Sequence, residues 1–387
     1  SVERLARHAV RAVDRRRAPD YAMRAGELAL KAGGEARGAA HFAAAASVMR
    51  EERGDPADPD AYELSLRAAD LALGAGDLEI AERALAPLGL ASDRVEPELV
   101  VRRALAEAKR ALGRFAPSEA AAALEAVRDR FGGVSPALGA EARMSWGLAL
   151  LEAGSLEPAL EVLRAAAEEG GDARAEATWA EALVRADRLD DAERAVHEAL
   201  ARAARAGGEA QRQAAHGALA ALTETKDEPA AARSIEATEV SDGPGEVTGL
   251  RVRAALAAFA EGDDAVATSQ IAAARQAARR AGGEGWAPLI DTLEQTLAVR
   301  ADPDARYVAK IVAAIDRLEA DRRPWAASLA VEALSHAHLA LGDPGAASRT
   351  LDRASGLARE AGHHSQARRL AARARAHAGR AQDPSAP

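Results

Sequence analysis

The chain has 387 residues and a formal net charge of −9, with 48% hydrophobic but only 3% aromatic residues. It contains no cysteine, which excludes disulfides, thiolate metal centres and cysteine nucleophiles and fits a reducing cytoplasm. The acidic balance argues against general nucleic-acid binding, and no apolar run reaches the roughly 18 residues of a membrane helix. Alanine dominates the apolar fraction, and it favours helix while burying little surface, so many thin, closely packed helices are expected.

In chain order, a series of short breaks divides segments with helical periodicity. The first falls at Gly34 in "KAGGEARGAAHF", then Gly76 in "LGAGDLEIAERAL", Gly113 in "LGRFAPSEAAAAL" and Gly154 in "LEAGSLEPALEVL". Asp187 in "VRADRLDDAERAV", Lys226 in "TETKDEPAAARS", Gly262 in "FAEGDDAVATSQI", Asp302 in "VRADPDARYVAKI" and Gly342 in "LALGDPGAASRTL" complete nine breaks with a mean spacing near 38 residues. After Ser155 the apolar residues Leu156, Leu160, Leu163 and Ala167 follow one helix face. Ser155 and Asp263 are the residue types that cap a helix N-terminus, and Pro158 and Pro344 fall in first turns, where a missing N–H costs little. Strand signals are nearly absent. The stretch 241–249, "SDGPGEVTG", reads as a long loop between repeats, because the spacing of breaks continues across it.

Helix pairs with this period and two small residues at fixed positions resemble the tetratricopeptide repeat. In that family, a small residue at position eight of the first helix packs against Ala at position twenty in the second. The correspondence pairs Gly147 with Ala159, Ala69 with Ala81, Ala108 with Ala120, Ala180 with Ala192, Ala255 with Ala267 and Ser335 with Ala347. Position twenty-four is then Leu85, Leu124, Leu163, Val196, Ile271 and Leu351, apolar throughout. Periods longer than 34 residues and the missing terminal proline depart from the standard repeat and suit the longer-helix variants of bacterial regulators.

The resemblance implies an all-α fold, a right-handed α-solenoid of about nine repeats. We expect one array over residues 1–381, a basic capping helix near 364–380 and a disordered tail at 382–387. The segment "DYAMRAGELAL" near the start is similar to the helix pair that opens the repeat arrays of large bacterial signalling ATPases, kinases and transcriptional regulators. That implies a catalytic or DNA-binding part outside this chain.

Catalytic signatures are missing: there is no GxxxxGK[ST] P-loop, HExxH, GxSxG or kinase motif. "DDAER" and "GDDAVAT" are similar to the aspartate-rich motif of all-α terpene cyclases but lack the further acid that would complete a magnesium site; carboxylates at helix N-termini explain both. The pairs His336/His338 and His363/His364 are spaced too closely to share a helix face, so no metal and no cofactor is expected. Residues 349–380 hold eight arginines against Asp352 and Glu360; a solvated capping helix is favoured over a binding surface for an acidic partner or nucleic acid. Trp146 and Trp179 precede position eight in their repeats and are assigned to packing, with Trp286 and Trp325 near loops or helix starts.

The expected function is therefore non-enzymatic: a bacterial protein–protein interaction module, the sensor or regulatory region of a signalling protein, with a free-standing scaffold or adaptor as the alternative. In the family, the first helices line the concave surface. Carried across, the partner-binding candidates are Asp70, Arg102, Lys109, Met144, Glu181, Arg185, Phe259 and His336. The implied partner is a protein or peptide, not a membrane. The basic-asparagine clamp used for chaperone tails is not present at these positions.

Overall fold

The computed structural model describes residues 17–55, 57–90, 95–114, 116–170, 172–206, 208–226, 244–280, 284–321 and 323–382. Among these residues every regular element is a helix. They divide into two compact units, one up to Ser145 and the other from Trp146 onward, with Arg280 grouping with the first.

The first unit contains α1 (Ala18–Lys31), α2 (Glu35–Arg53), α3 (Pro59–Gly74), α4 (Leu78–Leu85), α5 (Pro97–Gly113), α6 (Pro117–Glu125) and the beginning of α7 (Pro136–Glu152). Proline opens α3, α5, α6 and α7, at the first helical position, where its missing N–H leaves no intrahelical hydrogen bond unmade. Asp58 and Asp77 accept backbone N–H bonds from Ala61 and Ile80 and so cap α3 and α4. Helix α4 is short because Pro87 follows it closely, and the chain continues as a 3-10 turn, Ala86–Leu90. Successive helices pack on one another, and Phe42, Tyr62, Leu66 and Leu88 fill the core between them.

The second unit continues with α8 (Leu156–Gly170), α9 (Ala173–Arg185), α10 (Leu189–Ala206), α11 (Glu209–Lys226), α12 (Pro244–Glu261) and α13 (Asp264–Arg280). It ends with α14 (Ala287–Ala301), α15 (Ala305–Ala320), α16 (Pro324–Ala340), α17 (Pro344–Glu360) and α18 (His364–Gln382). Asp172, Asp263, Asp304 and Asp343 cap α9, α13, α15 and α17. The stretch 241–249 is not all loop, since α12 already begins at Pro244. The residues after Lys226 and those of the tail beyond Gln382 lie outside the described residues.

The tight turns explain the recurrent glycines. Gly33, Gly76, Gly154, Gly262 and Gly342 all have φ between 72° and 83°, the left-handed conformation that closes a helix C-terminus. In each, the following residue donates back five positions, as Ser155 N does to Leu150 O at 2.8 Å, satisfying an otherwise open carbonyl. Asp187 takes the same conformation, with φ 63°, without being glycine. Other expected breaks shift accordingly; Gly113 is the last helical residue of α5, without positive φ. The first is Gly33 rather than Gly34, which has φ −102° and precedes α2. Asp302 is an extended residue, with φ −141°, ending α14 rather than a left-handed turn.

The positions assigned from the repeat resemblance are the packed ones. Ala81, Ala120, Ala159, Ala192, Ala267 and Ala347 have no exposed surface, and Leu85, Leu124, Leu163, Val196, Ile271 and Leu351 are all buried. The partner of Gly147 differs from expectation. A Cβ on Gly147 would lie 2.4 Å from Leu163 Cγ, so the residue crossing the glycine is position twenty-four, not Ala159. Gly26 stands in the same relation to Phe42, whose ring would be 2.8 Å from such a Cβ. Both pairs are sixteen residues apart, and in both the missing side chain admits a large apolar group from the second helix.

Candidate interaction face

In the first unit, α3, α5 and α7 carry the predicted Asp70, Arg102, Lys109 and Met144. Neighbouring first helices are linked by charge pairs. Arg102 Nη1 lies 2.8 Å from both oxygens of Glu63, and Lys109 Nζ is 2.9 Å from Glu141 Oε1. These pairs are solvent-exposed to differing degrees, so each contributes at most about 1 kcal/mol to folding. Their larger consequence is that both cations are already matched.

Asp70 is different. Its side chain reaches solvent, and no direct hydrogen bond to it is seen among the described residues. Desolvation by the surrounding protein raises its carboxyl above the usual range, while Lys109 and Arg102 pull it down and Glu141 and Glu63 push it up. Met144 is half-buried beside this row. The face thus combines an apolar edge, two satisfied ion pairs and one carboxylate with no direct partner.

In the second unit, Arg185 on α9 is bound to Glu152 Oε1 at 2.7 Å, and Glu181, one turn earlier, is half-buried. Phe259 and His336 do not offer a surface at all, as each is only 2% exposed. Their rings sit 5.8 Å apart, and Arg300 lies over the Phe259 ring. His336 Nε2 is 3.1 Å from Arg373 Nη2, and the Arg373 guanidinium also binds Glu332, with Gln366 donating to the other Glu332 oxygen at 3.2 Å. Burial, then Arg373, Arg300 and His377, depress the His336 pKa to about 3. The ring is neutral, and Nε2 accepts from Arg373. Helix α18 therefore covers part of the face that α16 would otherwise present.

Other sequence candidates settle as structural parts. Asp191 pairs with Arg188 and Arg194 at the start of α10, and no metal-holding group of His, Asp and Glu occurs among the described residues. Of the basic C-terminal segment, Arg353 binds Glu319, Arg368 binds Asp187 and Arg373 binds Glu332. Trp286 is buried, and Trp146 and Trp179 are half-buried. Trp325 stacks flat on His363 with ring centroids 3.6 Å apart, a contact that no repeat position indicates.

No family model and no curated protein matches the sequence. Solved structures are similar in fold. The Rap conjugation gene regulator of plasmid pLS20, in complex with the Phr peptide, aligns with a TM-score of 0.50 and 13% identity over 84% of this chain and 92% of that one. The fold is a tetratricopeptide-like helical repeat. A Rap protein complexed with competence and sporulation factor aligns at 0.46 and 11% identity, over 84% and 99% of the two chains. IFIT1 with Gppp-AAAA aligns at 0.46 and 13% identity, over 97% and 94%. No helix among the described residues is long and apolar enough to cross a membrane.

Proposed function

We propose that the chain is a non-enzymatic interaction module, the regulatory repeat region of a bacterial cytoplasmic signalling protein, that takes a protein or peptide segment along its first-helix face. The observation that carries this reading is the row on α3, α5 and α7. Its cations are held by Glu63 and Glu141, and Asp70 is left as the acceptor. A segment lying there would place a lysine, an arginine or an amino terminus opposite Asp70, since a carboxylate with no direct donor gains most from a charged one. The similarity to a Rap regulator solved with a bound peptide supports a peptide as the occupant. A repeat stack suits this task because each unit adds contact area with little rearrangement.

The test is selection from a random peptide display library on the purified protein, followed by titration of the selected peptides. Asp70→Arg should weaken them at least about tenfold, the scale of one charge-assisted bond. The same reversal at Glu119, an exposed residue on second helix α6, should leave them unchanged. Failure to select any peptide, or equal binding to both variants, would refute the assignment.

A further inference from the structure

The second unit closes on itself. The turn after α7 and the turn after α17 meet backbone to backbone: a Cβ on Gly154 would lie 3.4 Å from Ala361 Cα, and one on Gly362 would lie 3.1 Å from Leu156 Cβ. Both glycines hold positive φ, 83° and 77°, and with no side chain on either the two turns approach closely. A second contact spans 181 residues, the ion pair from Arg368 on α18 to Asp187, the one non-glycine residue in the left-handed turn conformation among the described residues. His363 lies in the seam between these contacts. It is 6% exposed and stacked on Trp325 of α16, with no hydrogen-bond partner on Nε2.

We propose that this seam is a pH-sensitive closure, which holds while the His363 ring is neutral and releases when the ring takes up a proton. The charged groups facing the ring are Arg185 of α9, itself bound to Glu152, Arg253 of α12, and His364 on its own helix. Among the described residues, no carboxylate is among the charged groups acting on the ring. Burial and the two guanidiniums hold the ring well below the ordinary histidine value, outweighing what stacking on Trp325 returns to a cation. The sign follows. In an open seam the ring would titrate near its ordinary value of about 6.5, so closure is fully favoured above that pH. Below it, closure weakens by about tenfold per pH unit. Release parts the two turns, the Arg368–Asp187 ion pair and the packing of α18 on α9, and leaves every helix intact.

The chain has no cysteine, so Asp190→Cys and Arg359→Cys, both exposed and one on each side of the seam, allow paired nitroxide labels. Pulsed electron paramagnetic resonance should give one distance population at about pH 8. A longer one should grow about tenfold per unit below about pH 6.5. His363→Phe keeps the stacking surface but cannot titrate, and should hold the single population throughout; His363→Gln carries the same test if the phenylalanine variant does not fold. The proposal is overturned if the native protein keeps one population down to about pH 5. It is equally overturned if the non-titrating variant opens identically, or if the distance change coincides with loss of helical ellipticity.

Discussion

Replacing Gly147 by alanine should destabilise the protein, against the ordinary expectation for a glycine inside a helix. Helix propensity alone predicts a gain of about 1 kcal/mol. The added Cβ would, however, stand 2.4 Å from Leu163 Cγ and 2.6 Å from Cδ2, where carbon atoms normally rest about 3.5–4.0 Å apart. Leu163 has no exposed surface to move into, so it must leave its rotamer or push α8 outward, at about 1–3 kcal/mol. The net expectation is a loss of about 1 kcal/mol, read as a lower denaturant midpoint by far-ultraviolet circular dichroism. Two comparisons isolate the cause. Gly356→Ala, in the interior of α17 with nothing within 4 Å of the new Cβ, should stabilise by up to about 1 kcal/mol. In a Leu163→Ala background, itself costing about 2–5 kcal/mol, Gly147→Ala should change sign and become stabilising. If Gly147→Ala stabilises the native protein, or its cost persists without Leu163, the crossing contact is not what fixes the glycine.

Three further outcomes follow from the same geometry. Stability should fall as pH drops from about 6.5 towards 3, because His336 is neutral when folded and protonates freely when unfolded. The His336 share of that loss reaches about 2 kcal/mol at pH 5, and His336→Gln should remove that share, making the slope shallower in acid denaturation curves. Glu332→Ala should cost about 2–3 kcal/mol in chemical denaturation, since it leaves Arg373 and Gln366 without their buried acceptor. Glu63→Ala should change stability by less than about 1 kcal/mol, because the pair with Arg102 is solvated.

The repeat register was legible because two physical demands write themselves into sequence. A helix that ends in a left-handed residue wants glycine, and helices that cross closely want alanine, so Gly76, Gly154, Gly262 and Gly342 stand five residues before a fully buried alanine. Lone glycines next to one another were ambiguous, and the choice between Gly33 and Gly34 was decided only by backbone conformation. The candidate face was less legible. Phe259 and His336 occupy first-helix positions that would face a groove, yet α18 contributes Arg373 over α16 and closes that surface. Nothing in local periodicity encodes a contact made from 37 residues away. The pairing of Arg102 with Glu63 and of Lys109 with Glu141 is likewise set by how first helices align, which leaves Asp70 distinguishable only in three dimensions.

The central claim is that the first-helix face of α3 and α5 receives a peptide segment, and hydrogen–deuterium exchange with a selected peptide tests it most directly. The account predicts slowed exchange concentrated in Pro59–Gly74 and Pro97–Gly113, abolished by Asp70→Arg. Protection confined to the second helices Leu78–Leu85 and Pro117–Glu125, or protection that survives the Asp70 reversal, would contradict it.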